Sequence, residues 1–167
     1  MTPEEQQFRA ELVSLLPRLR RFGRAIARNR EDADDLVQVA VERALTRREQ
    51  WEPGTRMLSW MFKIMNNAWI DEMRARTRRD QIFAPEEAGE HVGITPVDAH
   101  LDALAVRKAV ARLNDEQRIA VGLVLVEGLP YKEAAEVLGV PIGTVTSRIA
   151  RAREQLQTLL SGAEVAR

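Results

Sequence analysis

The segment from Glu127 to Leu156, EGLPYKEAAEVLGVPIGTVTSRIARAREQL, constrains the fold more than any other part of the chain. Ala134, Ala135 and Leu138 recur at helical spacing and predict a short helix from Tyr131 to Leu138. Gly139 follows where a helix commonly ends in the left-handed conformation that glycine adopts at little cost. Pro141 then suits the start of a new helix, because its φ is already helical and its missing N–H has no intrahelical partner there. Two helices joined by about three or four residues including Gly form a helix-turn-helix. The second helix is placed by angle, at about 100° per residue. With Val145 as origin, Ile149, Ala152 and Leu156 fall within roughly 40° and form the core stripe. Thr146, Ser147, Ala150, Arg151 and Glu154 point the other way, and Arg148 and Arg153 flank the stripe. Small hydrogen-bonding groups near the N-terminus of such a helix approach base edges, while arginines reach phosphates or guanine. An ordinary surface helix with solvated arginines has the same periodicity; the Gly–Pro turn in front of it is what favours DNA binding.

Charge sets a second limit. The 167 residues hold 25 Lys+Arg and 25 Asp+Glu, so no global field draws the chain to nucleic acid. The basic groups are clustered instead: Arg74, Arg76, Arg78 and Arg79 close one predicted helix, and Arg148, Arg151 and Arg153 lie on another. Local basic patches on a neutral chain imply DNA contact that a partner recruits or strengthens. There is no cysteine, which excludes disulfides and thiolate metal sites. His91 and His100 stand in a polar stretch without ligand spacing and are expected to face solvent. No metal or cofactor is expected. The N-terminal MTPEEQQFRAEL lacks a signal-peptide pattern, and no apolar run approaches the roughly 20 residues of a membrane span. The expectation is a soluble, cytoplasmic protein.

The remaining periodicity is helical, and the fold class expected is all-α, with two small helical domains joined by a flexible linker. Thr2-Pro3-Glu4-Glu5 is a capping box that opens the first helix, which Pro17 is expected to break, with a second piece ending near Arg28. A further helix is predicted from about Glu31 to Arg48. A turn-rich loop from Gln50 to Thr55 follows, with Thr55 or a neighbour capping a helix that reaches about Arg79. After Asp80 the segment QIFAPEEAGEHVGITPVDAH has two prolines, two glycines and several acids, and reads as a linker. Helical pattern returns at about Ala99, and Asn114 is a good N-cap with Gln117 three residues on. The domains expected are residues 1–80 and 98–163, with 81–97 between them.

Within the first domain, Leu58, Met61, Phe62, Met65, Trp69 and Met73 share one stripe, read as core. The opposite face carries Trp60, Lys63, Asn67, Asp71, Arg74 and Arg78, a mixture suited to single-stranded DNA. Packing of Trp60 under the preceding loop and pairing of Asp71 with Arg74 would account for the same residues without a ligand. Asp32 and Asp34 fit the start of a helix by favourable interaction with its dipole. Asp35, Gln38 and Glu42 form a polar strip suited to a basic partner. No catalytic Cys, His pair, Gly-rich phosphate loop or acid pair in an apolar setting suggests an enzyme.

DADDLVQ followed by SWMFKIMNNAWIDEMRARTRR resembles region 2 of bacterial sigma factors, and LNDEQRIAVGLVLVEGLPYKEAAEVLGVPIGTVTSRIARAREQL resembles their region 4. A chain with only these regions is similar to the extracytoplasmic-function group; the likeness spans about residues 8–79 and 105–160. It implies a promoter-specificity subunit that binds core RNA polymerase and promoter DNA. Asp34, Asp35, Gln38 and Glu42 would dock on the β′ clamp helices. Lys63, Asn67, Asp71, Arg74 and Arg78 would contact the −10 element, and the loop Trp51 to Arg56 would hold a flipped base. Thr144, Thr146, Ser147, Arg148, Ala150 and Arg151 would read the −35 element, and the same domain would dock on the β flap. Thr146 and Ala150 depart from the larger or basic residues common in relatives, which shifts readout there toward DNA shape. The resemblance also implies an anti-sigma protein that covers the docking surfaces. A stand-alone duplex-binding regulator is the competing reading, against which the polar faces of the first domain argue.

Overall fold

A computed structural model describes residues 1–82 and 101–165, and all regular structure in them is helical. The order is α1 (Pro3–Ile26), α2 (Arg30–Thr46), a 3-10 turn (Arg48–Gln50), α3 (Met57–Ile82), α4 (Leu101–Ala111), α5 (Asp115–Val121), a widened turn (Gly122–Val126), α6 (Tyr131–Leu138) and α7 (Ile142–Val165). These residues form two compact units, 1–24 with 29–82 and 25–28 with 101–165. The all-α expectation is met. The predicted linker begins later than expected, because Gln81 and Ile82 still belong to α3; its remaining residues, 83–97, and both histidines lie outside the described residues.

The first unit begins with the anticipated capping box. Thr2 N–H donates to Glu5 Oε2 at 3.0 Å, and Glu5 N–H donates to Thr2 Oγ1 at 3.2 Å. The break expected at Pro17 does not occur: α1 runs through it. Proline there deprives the Val13 carbonyl of its donor, but Val13 is 62% exposed, so that side of the helix faces water. Phe8 and Leu12 before the proline, and Leu19 and Phe22 after it, are buried and hold both halves in line. A Cβ on Gly23 would lie 3.3 Å from both the Ala33 carbonyl oxygen and Val37 Cγ2, so α1 passes close to α2 at this point. The core is aromatic and sulfur-rich: the Phe22 and Phe62 rings lie 4.7 Å apart, beside buried Met57, Met61, Met65 and Trp69.

Asn29 caps α2, its side chain accepting from Asp32 N–H at 2.8 Å. Thr55 does not cap α3. Its N–H and its hydroxyl both donate to the Glu52 carbonyl, at 3.1 and 2.6 Å, closing a turn in which Gly54 has φ 89°. The helix opens instead with Trp60 N–H donating to the Arg56 carbonyl at 3.3 Å.

In the second unit, α7 packs against α4, α5 and α6. Asn114 caps α5 as expected, accepting from Gln117 N–H at 2.8 Å. The widened turn was not foreseen: Glu127 N–H reaches the Gly122 carbonyl at 3.0 Å, five residues back rather than four. Ala120, Ala134, Ala135 and Ala152 are buried with Val145 and Ile149. Side chains this small let helix axes approach closely, so this core is thin where the first is bulky.

Candidate nucleic-acid interface

The turn between α6 and α7 has the geometry that its sequence predicts. Gly139 takes φ 67°, ψ 34°. Val140 N–H donates to the Ala135 carbonyl at 3.1 Å and Gly139 N–H to Glu136 at 3.3 Å, together a Schellman motif that ends α6. Pro141 lies one position before the first helical residue, its carbonyl accepting from Thr144 N–H at 3.0 Å. This fixes the direction of α7. Val145, Ile149 and Ala152 are buried and Leu156 is half-buried, so the core stripe is as expected.

The opposite face of α7 is open. Thr146, Ser147, Ala150, Arg151 and Arg153 are exposed, and Thr144 is half-buried. The Thr146 hydroxyl donates to the Ile142 carbonyl at 3.1 Å, which leaves its oxygen as an acceptor. Arg148 is half-buried and 3.7 Å from Glu116 Oε1 of α5, a loose pair. Among the described residues, Arg151 and Arg153 have no ion-pair partner. Small groups thus sit at the centre of the face with unneutralised guanidinium groups around them.

In the first unit the sequence-predicted groups divide. Lys63, Asn67, Asp71, Arg74 and Arg78 are all exposed along one stripe of α3. Asp71 pairs with Arg43 of α2 at 3.1 Å, not with Arg74 as its spacing suggested. The four-arginine cluster is likewise split. Arg76 meets Asp32 at 2.7 Å and Glu72 at 3.0 Å, and Arg79 meets Glu72 at 3.1 Å. The hydrogen bond that Arg76 donates to Asp32 raises the Arg76 pKa above its ordinary value, against the opposing effect of burial. Asp32 is therefore a cross-helix anchor as well as a favourable charge in the first turn of α2. Arg74 and Arg78 remain directed to solvent.

Trp51 is half-buried, with its ring 5.7 Å from Phe8 and its buried indole nitrogen without a hydrogen-bond partner. Trp60 also packs on Phe8, at 6.0 Å. On α2, Asp34, Asp35, Gln38 and Glu42 are exposed on one face, with Gln38 Nε2 3.4 Å from Glu42 Oε1. The described residues contain no cluster of three or more His, Cys, Asp or Glu that could hold a metal, and no helix long and apolar enough to cross a membrane.

Sequence reasoning missed Phe8, Arg43 and Arg118. Arg118 is 2% exposed; it donates to the Leu113 carbonyl at 2.9 Å and pairs with Asp115, while burial lowers its pKa. Its position three residues after Asp115 was the only local signal. Phe8 and Arg43 have partners distant in sequence, which no spacing rule could supply.

Comparison with known proteins bears on both units. The family described as Sigma-70, region 4, matches residues 103–156, and the Sigma2 domain of PhyR matches residues 12–66. The chain is 34% identical to ECF RNA polymerase sigma factor EcfG of Rhodopseudomonas palustris, over 97% of this chain and 91% of that one. It is 37% identical to ECF RNA polymerase sigma factor SigM of Mycobacterium tuberculosis, over 85% of this chain and 71% of the relative. The sigma factor RpoE of Bartonella quintana, solved in complex with the anti-sigma factor NepR, superposes with a TM-score of 0.80 at 34% identity, covering 93% of this chain and 98% of that one. The two helical units and the helix-turn-helix are those of a sigma factor, and the chain belongs to the ECF family of RNA polymerase sigma factors.

Proposed function

We propose that this chain is a promoter-specificity subunit that binds core RNA polymerase, recognises −35 and −10 promoter elements and promotes strand opening. The observation that carries this reading is the outer face of α7, where Thr146, Ser147, Ala150 and Arg151 are exposed on a helix aimed by a Schellman turn. Thr144 and Arg148, both half-buried, border that face and complete the −35 contact. Ser147 and the acceptor oxygen of Thr146 meet base edges, and the arginines meet phosphate or guanine.

The −10 contact falls to Lys63, Asn67, Asp71, Arg74 and Arg78, with Trp51 at the base of the loop that holds an unstacked base. Capture of that base repays part of the unpairing energy and turns transient opening into strand separation. Asp34, Asp35, Gln38 and Glu42 dock on the basic partner surface of the polymerase, the β′ clamp helices, and the second domain docks on the β flap. Residues 1–80 and 98–163 are the two working domains, with 81–97 as a linker between their sites. The chemistry of RNA synthesis belongs to the polymerase. The chain is therefore a non-catalytic subunit without a cofactor and acts in the cytoplasm, where polymerase and DNA are. An anti-sigma factor holds it inactive; the complex of the similar sigma factor RpoE with NepR supports this.

Reconstitution with core polymerase tests the reading. The chain should copurify with core and direct initiation from promoters mapped after its overexpression. Arg151→Ala should lower −35-dependent initiation and leave core binding intact. Equal loss of both, or failure of the unaltered chain to direct promoter-dependent initiation, would overturn the proposal.

A further inference from the structure

The loop assigned above to base capture leaves and re-enters the helical core at two tryptophans, and both rest on one ring. Trp51, at the start of the loop, lies 5.7 Å from Phe8 at an interplanar angle of 58°. Trp60, in the first turn of α3 after the loop, lies 6.0 Å from the same ring at 71°. The first contact is tilted and the second edge-on; both geometries are directional, so each constrains the orientation of an indole as well as its depth. Phe8 is itself 2% exposed and lies on the buried side of α1. Beside it, Glu5 of α1 pairs with Arg48 at 2.9 Å, and the Arg48 carbonyl accepts from Trp51 N–H at 3.1 Å. The first helix thus grips the start of the loop through a ring and an ion pair, and the end of the loop through the same ring. Between these points Glu52 to Arg56 are exposed, and Gly54 holds a positive φ that closes the turn.

Trp51 has its buried indole nitrogen turned to the protein without a hydrogen-bond partner. It is half-buried at the start of the loop, with its ring against Phe8. We infer that Phe8 is a positioning residue for base capture: it touches no DNA, but holds Trp51 and Trp60 so that the loop between them is pre-shaped for a single unstacked base. The inference rests on the proposed promoter-binding function and adds α1 to the machinery of that site. A pre-shaped loop captures a base without the cost of ordering itself, and affinity for the extruded base rises accordingly.

The test uses polymerase reconstituted with the full chain and a single-stranded non-template oligonucleotide spanning the −10 element of a promoter mapped for this subunit. Matched oligonucleotides, each lacking one base, report which base the loop holds. Phe8→Leu keeps an apolar side chain in the core but removes the ring. It should bind the intact strand about tenfold more weakly than wild type, the range expected when one base loses its aromatic and shape-matched contacts. It should bind the critical abasic strand as wild type does, and core polymerase unchanged. Wild-type affinity of Phe8→Leu for the intact strand, or an equal loss on intact and abasic strands, would overturn the inference.

If Phe8→Leu fails to melt cooperatively, Glu5→Gln carries the test from the surface. Glutamine keeps the capping-box hydrogen bond and removes only the charge opposite Arg48. Loss of a negative charge by itself favours DNA binding, so a base-dependent weakening of about twofold supports positioning. Unchanged or base-independent affinity overturns it. If wild-type holoenzyme binds intact and abasic strands alike, the failure lies in the proposed base capture and not in the role of Phe8.

Discussion

Helices α3 and α7 each bury one apolar stripe and turn arginines outward, yet the two use their arginines differently. In α3, Arg76 and Arg79 are tied to Asp32 and Glu72, and Asp71 of the same helix is tied to Arg43. Charge there holds α3 against α2, over a core of phenylalanine, methionine and tryptophan. In α7, Arg151 and Arg153 have no ion pair among the described residues, and the core beneath is mostly Ala, Val and Ile. The direction of α7 comes from the backbone of the Gly139 turn. A helix positioned by its preceding turn leaves its outer charges for a ligand, whereas one positioned by ion pairs commits part of its charge to the fold.

The strongest way to break this comparison is through the cores. Phe62→Ala should lower the stability of the first unit by about 3–5 kcal/mol, because a buried ring leaves a cavity that surrounding methionines fill only partly. A loss below about 1 kcal/mol by denaturant melting, with circular dichroism as the readout, would show that the aromatic core is not what holds α3. Gly139→Ala comes next. A Cβ at this position meets nothing within 4 Å, so only the left-handed backbone opposes it, at about 1–2 kcal/mol. An unchanged melting curve would remove the turn as the device that aims α7.

Arg151→Met and Arg76→Met sharpen the contrast directly. Arg151→Met should leave stability within about 0.5 kcal/mol. In the assembled polymerase it should weaken duplex −35 binding by about tenfold and reduce the salt slope by about one. Arg76→Met should do the reverse, shifting the melting curve and leaving the −35 affinity alone. The smallest effect is expected for Asp32→Asn. Asp32 and Arg76 are partly solvated, and screening limits the loss to about 0.5–1 kcal/mol by thermal melting. A change several times larger would mean that the ion pair, rather than the aromatic core, dominates the attachment of α3.

Legibility in the sequence followed the range of the interaction. The capping box at Thr2, the Asn114 cap and the α6–α7 turn were readable because every participant lies within about six residues of the others. Pro17 was misread because the missing N–H is local, while the solvation of the Val13 carbonyl and the anchoring by Leu12 and Leu19 are not. Of Thr55 and its neighbours, Thr55 is engaged in the preceding turn through the Glu52 carbonyl, and Arg56 stands before the first residue of α3. The basic cluster of α3 was legible as composition only. Which arginines remain available depends on Asp32, more than forty residues earlier than Arg76, and on the way α2 lies against α3.

By itself the sequence determined the helical class, the caps, the helix-turn-helix and the small, cationic outer face of α7, since periodicity and Gly–Pro geometry are properties of short stretches of chain. Only the tertiary structure decided that Asp71 pairs with Arg43, that Arg76 is spent on Asp32, and that Phe8 supports both tryptophans flanking the loop. The physical reason is common to all three. An ion pair or a ring contact depends on distance in space, and helices packed side by side bring together residues whose separation along the chain carries no periodic signal.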